Sequence, residues 1–285
     1  MSKRHNFSNN QFFDTARRNK MSFSNYYERL VNAALSIFKW ENLPDTIDEV
    51  FLERTLFYNG CALFCYDDVL GYLALKTSAA GDFNVYSIPK KRVGYGANGY
   101  HIEKDNNNSI IIYNNMLRLP SEPTVFEFAN RLEEIDRAID VNINAQKTPI
   151  IISCKESDRL ALKNVYMKYE GNAPVIFAND RYDPATIKVI STNAPFVAPS
   201  LYQLKTEIWK EALTYLGVTS GNNKKERVIV DEIANETGSV NAMINSKLIS
   251  RKQACKMINE MFGLNIDVKV RDEDVKIHDT NTVDM

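Results

Sequence analysis

The chain has 285 residues, of which 44% are apolar and 25% are charged, and its formal net charge is −1. This composition excludes an intrinsically disordered chain, and the length suits one or two domains. A free DNA-binding protein is usually strongly basic, so any contact with nucleic acid should be local or weak. The sequence has no run of about 18 apolar residues and no apolar signal core in residues 1–20, so we expect a protein made in a cytosol, with no membrane partner.

The first residues of the chain are basic and polar. Residues 1–20 contain Asp14 as their one acid. Their cations are Lys3, Arg4, Arg17, Arg18 and Lys20. The pattern predicts a flexible arm over residues 1–22. Two interpretations stay open from composition: a solvated terminus, or an arm that contacts nucleic acid or an acidic protein.

Two helices are predicted after the arm. Apolar residues at spacings of three and four indicate a first helix over residues 23–40, which Pro44 prevents from continuing. A short helix is expected over residues 48–58, before Gly60.

The next stretch, residues 61–113, is expected to be rich in β-strands. It consists of short apolar runs separated by turn residues. Gly94, Gly96 and Gly99 spell a GxGxxG motif inside it. A dinucleotide site needs a helix after that motif, whereas polar, Asn-rich residues follow here. We therefore predict irregular turns at these glycines and no nucleotide cofactor.

A long helix is predicted over residues 121–146. Thr124 and Glu127 match a capping box at its start. At 1.5 Å per residue it would be about 39 Å long, which suits a bundle strut or a subunit-packing element. Its apolar seam has a coiled-coil-like period and consists of Val125, Phe128, Leu132, Ile135, Ile139 and Ile143.

A compact α/β unit should follow. Apolar runs predict strands over residues 149–152, 174–177 and 186–190, and an amphipathic pattern predicts a helix over residues 158–169. The sheet of such a unit would have two free edges, which a neighbouring chain can cover.

Another helix is predicted over residues 201–216, with Gly217 at its C-terminal cap. Lys205 falls inside the apolar arc of this helix, whereas Lys210 lies opposite.

The part of the chain after Gly217 begins with a polar loop and ends in an acidic tail. The loop carries the cations Lys224, Lys225 and Arg227. We expect a last helix over residues 251–261, capped by Ser250, then a strand over residues 266–270 and a disordered tail from residue 271. By composition alone the cations form either a solvated turn or a contact with DNA.

The sequence gives no sign of an active site. The histidines His5, His101 and His278 fall in predicted loops or tails, and no HExxH, Walker A or GxSxG motif occurs. The cysteines Cys61, Cys65, Cys154 and Cys255 lack CxxC spacing, so we expect reduced, mostly buried thiols and no metal site. We predict a protein that is not an enzyme and has no cofactor.

Several segments resemble one family, the upper-collar proteins of small podophages that replicate by protein priming (Picovirinae type). These proteins are head–tail connectors, or portals. The resembling segments occur in the family's order and are residues 38–44, 112–115, 142–149, 169–177, 209–217, 224–227 and 263–268.

The resemblance implies an α+β portal fold with three long strut helices, a β-containing wing and a small α/β clip. It implies a homo-oligomeric ring, expected to be a dodecamer, in the virion at the portal vertex, assembled in the host cytoplasm. The implied segments are an arm (residues 1–22), struts and wing (23–148), clip (149–195), third strut (196–217), channel loop (218–235), wing or crown (236–270) and an acidic tail (271–285).

The resemblance also implies partners and roles. The ring would pass double-stranded DNA during packaging and ejection and would contact the capsid protein, the lower collar or tail protein and the packaging ATPase. Lys224, Lys225 and Arg227 would face DNA in the channel, with Lys205 and Lys210 on the channel helix. A packaging RNA or the motor would contact Lys3, Arg4, Arg17, Arg18 and Lys20. Pro199 and Ser200 offer no lysine at the place where the family has one, so one charge ring would be absent.

Physical reasoning is consistent with a near-neutral portal. Each neutralised phosphate adds a salt-dependent binding contribution, so a heavily basic ring would hold DNA too tightly for it to slide. The alternative function is a stand-alone nucleic-acid-binding module that uses the basic arm and the loop around Lys224.

Overall fold

The computed structural model describes residues 6–146, 150–154, 157, 160, 175–179, 195–218 and 230–271. The chain divides into two compact units, residues 1–130 with 209–285 and residues 131–208. The described helices are α1 (Asn6–Leu35), α2 (Glu49–Asn59), α3 (Glu122–Ala145), α4 (Ala198–Leu216) and α5 (Val230–Phe262). The described strands are β1 (Phe38–Glu41), β2 (Cys61–Asp67), β3 (Gly71–Phe83), β4 (Pro89–Tyr95), β5 (His101–Asp105), β6 (Ser109–Tyr113), β7 (Ile150–Cys154), β8 (Val175–Asn179) and β9 (Asp267–Val270). This is an α+β protein, as the sequence predicted.

The β-rich stretch forms an antiparallel sheet in the first unit, with the strand order β5-β4-β3-β2-β6. Strand β2, which lies between β3 and β6, is covered on both faces. Leu63 packs with Leu75 and Ile111 on one face, and the Phe64 ring lies 5.4 Å from the Phe262 ring of α5 on the other. A strand buried on both faces needs a continuous apolar run, which explains the unbroken sequence of β2.

The GxGxxG glycines belong to the β4–β5 hairpin of this sheet. Gly94, which was expected in an irregular turn, lies in β4, whereas Gly96 and Gly99 lie between β4 and β5. A Cβ at Gly94 would lie 2.9 Å from the Leu75 Cδ1 atom, so the absence of a side chain permits the close packing. A strand follows the motif, so the context of a dinucleotide site does not exist here.

Helix α2 confirms the short helix expected from the sequence. Asp48 caps its start, because its Oδ1 atom accepts hydrogen bonds from the backbone N–H groups of Val50 and Phe51. Gly60 ends it in the left-handed conformation, with φ of 78°. A Cβ at Gly60 would lie 2.7 Å from the Pro120 nitrogen, so the end of α2 approaches the chain that enters α3.

The first helix differs from its prediction at both ends. It covers Asn6–Leu35, so residues 6–22, expected as a flexible arm, are helical. Residues 38–40 were expected in the helix but belong to β1, which pairs with β9 in an antiparallel ribbon. Phe38 and Trp40 are buried in β1 while Lys39 is exposed. A partner strand more than 200 residues away therefore overrides the local helical pattern.

The last helix is much longer than predicted. Helix α5 covers Val230–Phe262, which includes the end of the expected loop over residues 218–235 and all residues between that loop and residue 251. Ser250 is not its N-cap, because its hydroxyl donates to the Ser246 carbonyl oxygen within the helix at 3.1 Å. Polar residues before position 251 masked this helix in the sequence.

Helix α3 confirms the long helix, but its predicted capping box is wrong. The Val125 N–H donates to the Ser121 carbonyl oxygen at 3.2 Å, so the helix starts after Ser121 and Thr124 lies inside its first turn. The Ser121 hydroxyl accepts a hydrogen bond from the Asn114 side-chain amide at 2.8 Å, which fixes the start of α3 to the preceding linker.

In the second unit, β7 and β8 form a parallel pair. This confirms the first two strands of the expected α/β unit. The helix expected over residues 158–169 lies outside the described residues apart from residue 160, and the strand over 186–190 lies wholly outside them. In the same unit, Asn142 of α3 caps α4: its Oδ1 atom accepts from the N–H groups of Val197 and Ala198, and its amide donates to the Pro195 carbonyl oxygen.

Candidate functional site

Helices α1, α3 and α4 contact one another through aromatic side chains in the first unit. The rings of Tyr26 in α1 and Trp209 in α4 are 6.2 Å apart. The Arg29 guanidinium lies over the Trp209 ring, 4.4 Å from its centroid. Phe128 in α3 and Tyr215 in α4 are 6.1 Å apart. Helix α4 thus packs against both α1 and α3.

The two lysines predicted on α4 differ in their surroundings. In the second unit, the Lys205 ammonium lies 2.6 Å from the Asp136 carboxylate of α3, and both side chains are about one quarter exposed (25% and 29%). Lys210 is exposed. Five residues of an α-helix separate the two side chains by about 140°. They therefore do not form one cationic surface, and the Lys205 charge is compensated by Asp136.

The other predicted cations fall elsewhere. Arg17, Arg18 and Lys20 belong to α1. The remaining ones lie outside the described residues: Lys3, Arg4, Lys224, Lys225 and Arg227. The segment with Lys224 connects Val218, just after α4, to Val230, the first residue of α5.

A buried ion pair that the sequence analysis missed lies between α5 and α2. The Arg251 Nε and Nη2 atoms donate to the two Glu53 carboxylate oxygens at 3.0 and 2.8 Å. The Trp40 indole N–H donates to the same carboxylate at 2.8 Å. The Arg251 guanidinium also lies over the Phe38 ring, 4.2 Å from its centroid. Helices α2 and α5 and strand β1 therefore meet at one buried charge pair.

Asn114 extends this polar network to the linker between β6 and α3. The Arg251 Nη1 atom donates to the Asn114 carbonyl oxygen at 2.7 Å. The Asn114 side-chain amide donates to the Leu119 carbonyl oxygen and to the Ser121 hydroxyl. Because the linker turns between a strand and a helix, these bonds satisfy polar groups that would otherwise be buried without partners.

Lys247 lies one turn before Arg251 and contacts α4. Its ammonium donates to the carbonyl oxygens of Tyr215 and Leu216 at 3.2 and 2.9 Å. It also lies 5.2 Å from the centroid of the Tyr215 ring. Burial, with help from the nearby Arg251 charge, lowers the pKa of Lys247 to about 7. The residue is thus a buried donor to the end of α4.

A sequence signal for this network exists in α5. Val240, Lys247, Arg251, Ala254 and Ile258 are all buried, and they recur at spacings of seven, four, three and four. Two charged residues therefore occupy positions of the buried seam. An Arg or Lys at such a position must have a partner, because an unpaired buried charge is strongly destabilising. This spacing could have identified Lys247 and Arg251 as buried charges from the sequence, although it does not identify Glu53 as the partner of Arg251.

The described side chains offer little for catalysis. Burial raises the pKa of the Cys65 thiol to about 11 and that of Cys255 to about 12, so both stay protonated and poorly nucleophilic at neutral pH. In the described parts of the chain, no cluster of His, Cys, Asp and Glu could hold a metal ion. Of the helices described, none combines the length and apolarity needed to cross a membrane.

The model of the phage connector (GP10) family matches residues 7–275. The chain therefore belongs to the phage connector family. In solved structures, a chain of the portal and tail of native bacteriophage P68 matches with a TM-score of 0.52 and 14% identity, covering 97% of this chain and 95% of that one. A chain of the virion of a native gene transfer agent particle matches with a TM-score of 0.43 and 10% identity, covering 92% of this chain and 85% of that one.

These findings confirm the resemblance and several expectations drawn from it. The protein is a phage connector, and its fold is similar to that of a phage portal chain. A connector is a component of the virion, which confirms the predicted location. The alternative of a stand-alone nucleic-acid-binding module receives no support from them.

Proposed function

We propose that this connector forms the portal ring through which double-stranded DNA enters and leaves the phage head, and that it joins the head to the tail. The observation that carries the proposal is the family match over residues 7–275. The aromatic contacts of α4 with α1 and α3 support it, because they join three long helices of the kind that a channel wall needs. In the proposed ring, expected to be a dodecamer, these helices are the struts.

The sheet β2–β6 would then form the wing, and the unit with β7 and β8 would form the clip. The proposed partners are the capsid protein, the lower collar or tail protein and the packaging ATPase. For the arm, we propose contact with the motor or with a packaging RNA. That role would use Lys3, Arg4, Arg17, Arg18 and Lys20.

The charge distribution supports a channel that does not hold DNA tightly. The formal net charge is −1, and Lys205 faces Asp136 at 2.6 Å. A compensated cation contributes less counterion release when a phosphate passes, so DNA can slide past it. Among the α4 lysines, Lys210 is the exposed one. We propose that the cations that retain DNA are those of the segment after α4, Lys224, Lys225 and Arg227.

Ring formation is tested by native mass measurement and electron microscopy of the purified protein. The expected result is a closed ring with a central hole and a mass several times that of the 32.6 kDa chain. A stable monomer at assembly concentrations would overturn the proposal.

DNA retention is tested with the triple substitution Lys224→Ala, Lys225→Ala, Arg227→Ala in phage particles. A matched control removes three exposed cations from the first unit, Lys90, Lys91 and Arg54. Both variants should form rings. The first should lose packaged DNA, measured as DNA released from filled heads, while the control retains it. Equal retention by the two variants would contradict a role of the segment in holding DNA.

A further inference from the structure

Helix α5 makes two contacts with the C-terminal end of α4, one through Lys247 and one through Ile244. Lys247 of α5 donates to the carbonyl oxygens of Tyr215 and Leu216. These belong to the last four carbonyls of α4, which have no partner within a helix. Gly217 follows in the left-handed conformation, with φ of 89°, and a Cβ there would lie 3.0 Å from the Ile244 Cβ atom. The N–H groups of Gly217 and Val218 both donate to the Leu213 carbonyl oxygen and complete the turn.

An apolar side chain could fill the place of Lys247 at lower cost. Lys247 is only 7% exposed, and taking an ammonium group out of water is unfavourable. The charged groups that face it are Arg251 on its own helix, which repels it, and Glu53 of α2, which attracts it. What a lysine supplies and a methionine cannot is a pair of directed hydrogen bonds to the end of α4.

Arg251 connects the same part of α5 to other elements of the first unit. It lies one turn after Lys247 and is fixed by Glu53 of α2 and by Asn114 of the β6–α3 linker. One turn of α5 therefore contacts the end of α4 through Lys247, and it contacts α2 and the β6–α3 linker through Arg251. A displacement of the α4 end would have to break bonds made by buried groups, which is costly.

We infer that Lys247 is a positioning residue, which clamps the C-terminal end of α4 onto α5 and thereby fixes the point, Val218, from which the chain enters residues 219–229. The inference rests on the proposed function, because residues 219–229 carry the cations proposed to retain DNA. In a ring, loosely attached segments would not hold their cations at one level along the channel, whereas segments clamped at the same point would.

The clamp itself is tested without DNA, by hydrogen exchange on assembled rings at neutral pH. Lys247→Met removes the donors and keeps an unbranched side chain. Lys256→Met is the matched control, since Lys256 lies on the same helix with its side chain 79% exposed. We expect the amides of residues 213–218 to exchange at least tenfold faster in Lys247→Met, while the β2–β6 sheet is unchanged. Unchanged exchange at residues 213–218, or an equal increase throughout the fold, would overturn the clamp.

Gly217→Ala provides a second route if Lys247→Met does not fold. It crowds the second contact between α4 and α5, where an added Cβ would lie 3.0 Å from the Ile244 Cβ atom, and it leaves the buried charges in place. The same local increase in exchange is expected, and protection equal to the wild type would count against the clamp.

The role in retention is tested in particles with the same variants. Lys247→Met should release DNA although its rings form normally, and Lys256→Met should not. If the triple substitution in residues 224–227 releases DNA but Lys247→Met retains it, the positioning role fails and the proposed function stands. If the triple substitution also retains DNA, the proposed role of the segment fails, and the exchange result decides the clamp on its own.

Discussion

Arg251 and Glu53 form a buried, two-pronged ion pair, with side chains only 2% and 5% exposed and a shortest N–O distance of 2.8 Å. The two residues are 198 positions apart in the sequence. The pair joins the helix that follows the proposed DNA-contacting segment to the helix that leads into the sheet. Its energetic importance is asymmetric, because losing one partner leaves the other charge buried without compensation.

The first prediction concerns this pair. Arg251→Met should lower the free energy of unfolding by about 3–5 kcal/mol, because Glu53 would remain buried and unpaired. Replacing both residues with Met should cost less than the single change. Urea unfolding of the purified protein measures both. As a control, Lys252→Met removes an exposed pair with Asp267 and should cost no more than about 1 kcal/mol. If the double variant is less stable than Arg251→Met, the expectation that an unpaired Glu53 costs more than the loss of both charges is wrong.

The second prediction concerns pH. The pKa of Lys247 is lowered by burial to about 7 in the folded protein. Between about pH 7 and the ordinary lysine pKa of about 10.4, the unfolded chain binds a proton that the folded chain does not, so stability rises with pH in this window. The wild type should therefore gain stability relative to Lys247→Met from pH 7 to 9.5. Urea unfolding of both proteins at several pH values measures the difference. If the difference in free energy of unfolding between the two proteins does not change from pH 7 to 9.5, Lys247 stays charged over this range.

The third prediction concerns Gly217. Gly217→Ala should cost more than Gly263→Ala, with a difference on the order of 1 kcal/mol. Both glycines follow a helix with positive φ, but an added Cβ at Gly217 meets Ile244 at 3.0 Å, whereas at Gly263 it meets nothing within 4 Å. Thermal or urea unfolding of the two variants gives the comparison. Equal costs would mean that only the backbone conformation matters at both sites.

The fourth prediction concerns the cap of α4. Asn142→Ala removes the side-chain acceptor for the N–H groups of Val197 and Ala198, and should cost about 1 kcal/mol, as the loss of a helix cap usually does. Asn144→Ala, at an exposed position of the same helix, is the control and should change stability by less than about 0.5 kcal/mol. Hydrogen exchange at residues 195–201 locates the effect, which should appear in the first variant and not in the second.

Elements governed by local sequence were predicted well. Helix α2 matched because Asp48 and Gly60 are strong local caps. The β-rich character of residues 61–113 was predicted from short apolar runs separated by turn residues, although Gly94, expected in a turn, lies in strand β4. Helix α5 was predicted too short, since polar residues before position 251 hid its seam. The strand β1 was assigned to a helix, because its partner β9 lies at the other end of the sequence.

An α+β connector with a near-neutral charge, and the cations proposed to meet DNA, could be inferred from the amino-acid sequence alone. Composition, local periodicity and short segments carry that information. The pairing of Lys205 with Asp136 is visible only in the three-dimensional fold. The same holds for Lys247 and Arg251, which are buried donors rather than solvated charges. The physical reason is that the partners of a charged side chain depend on which distant elements pack together, and helical spacing alone cannot specify them.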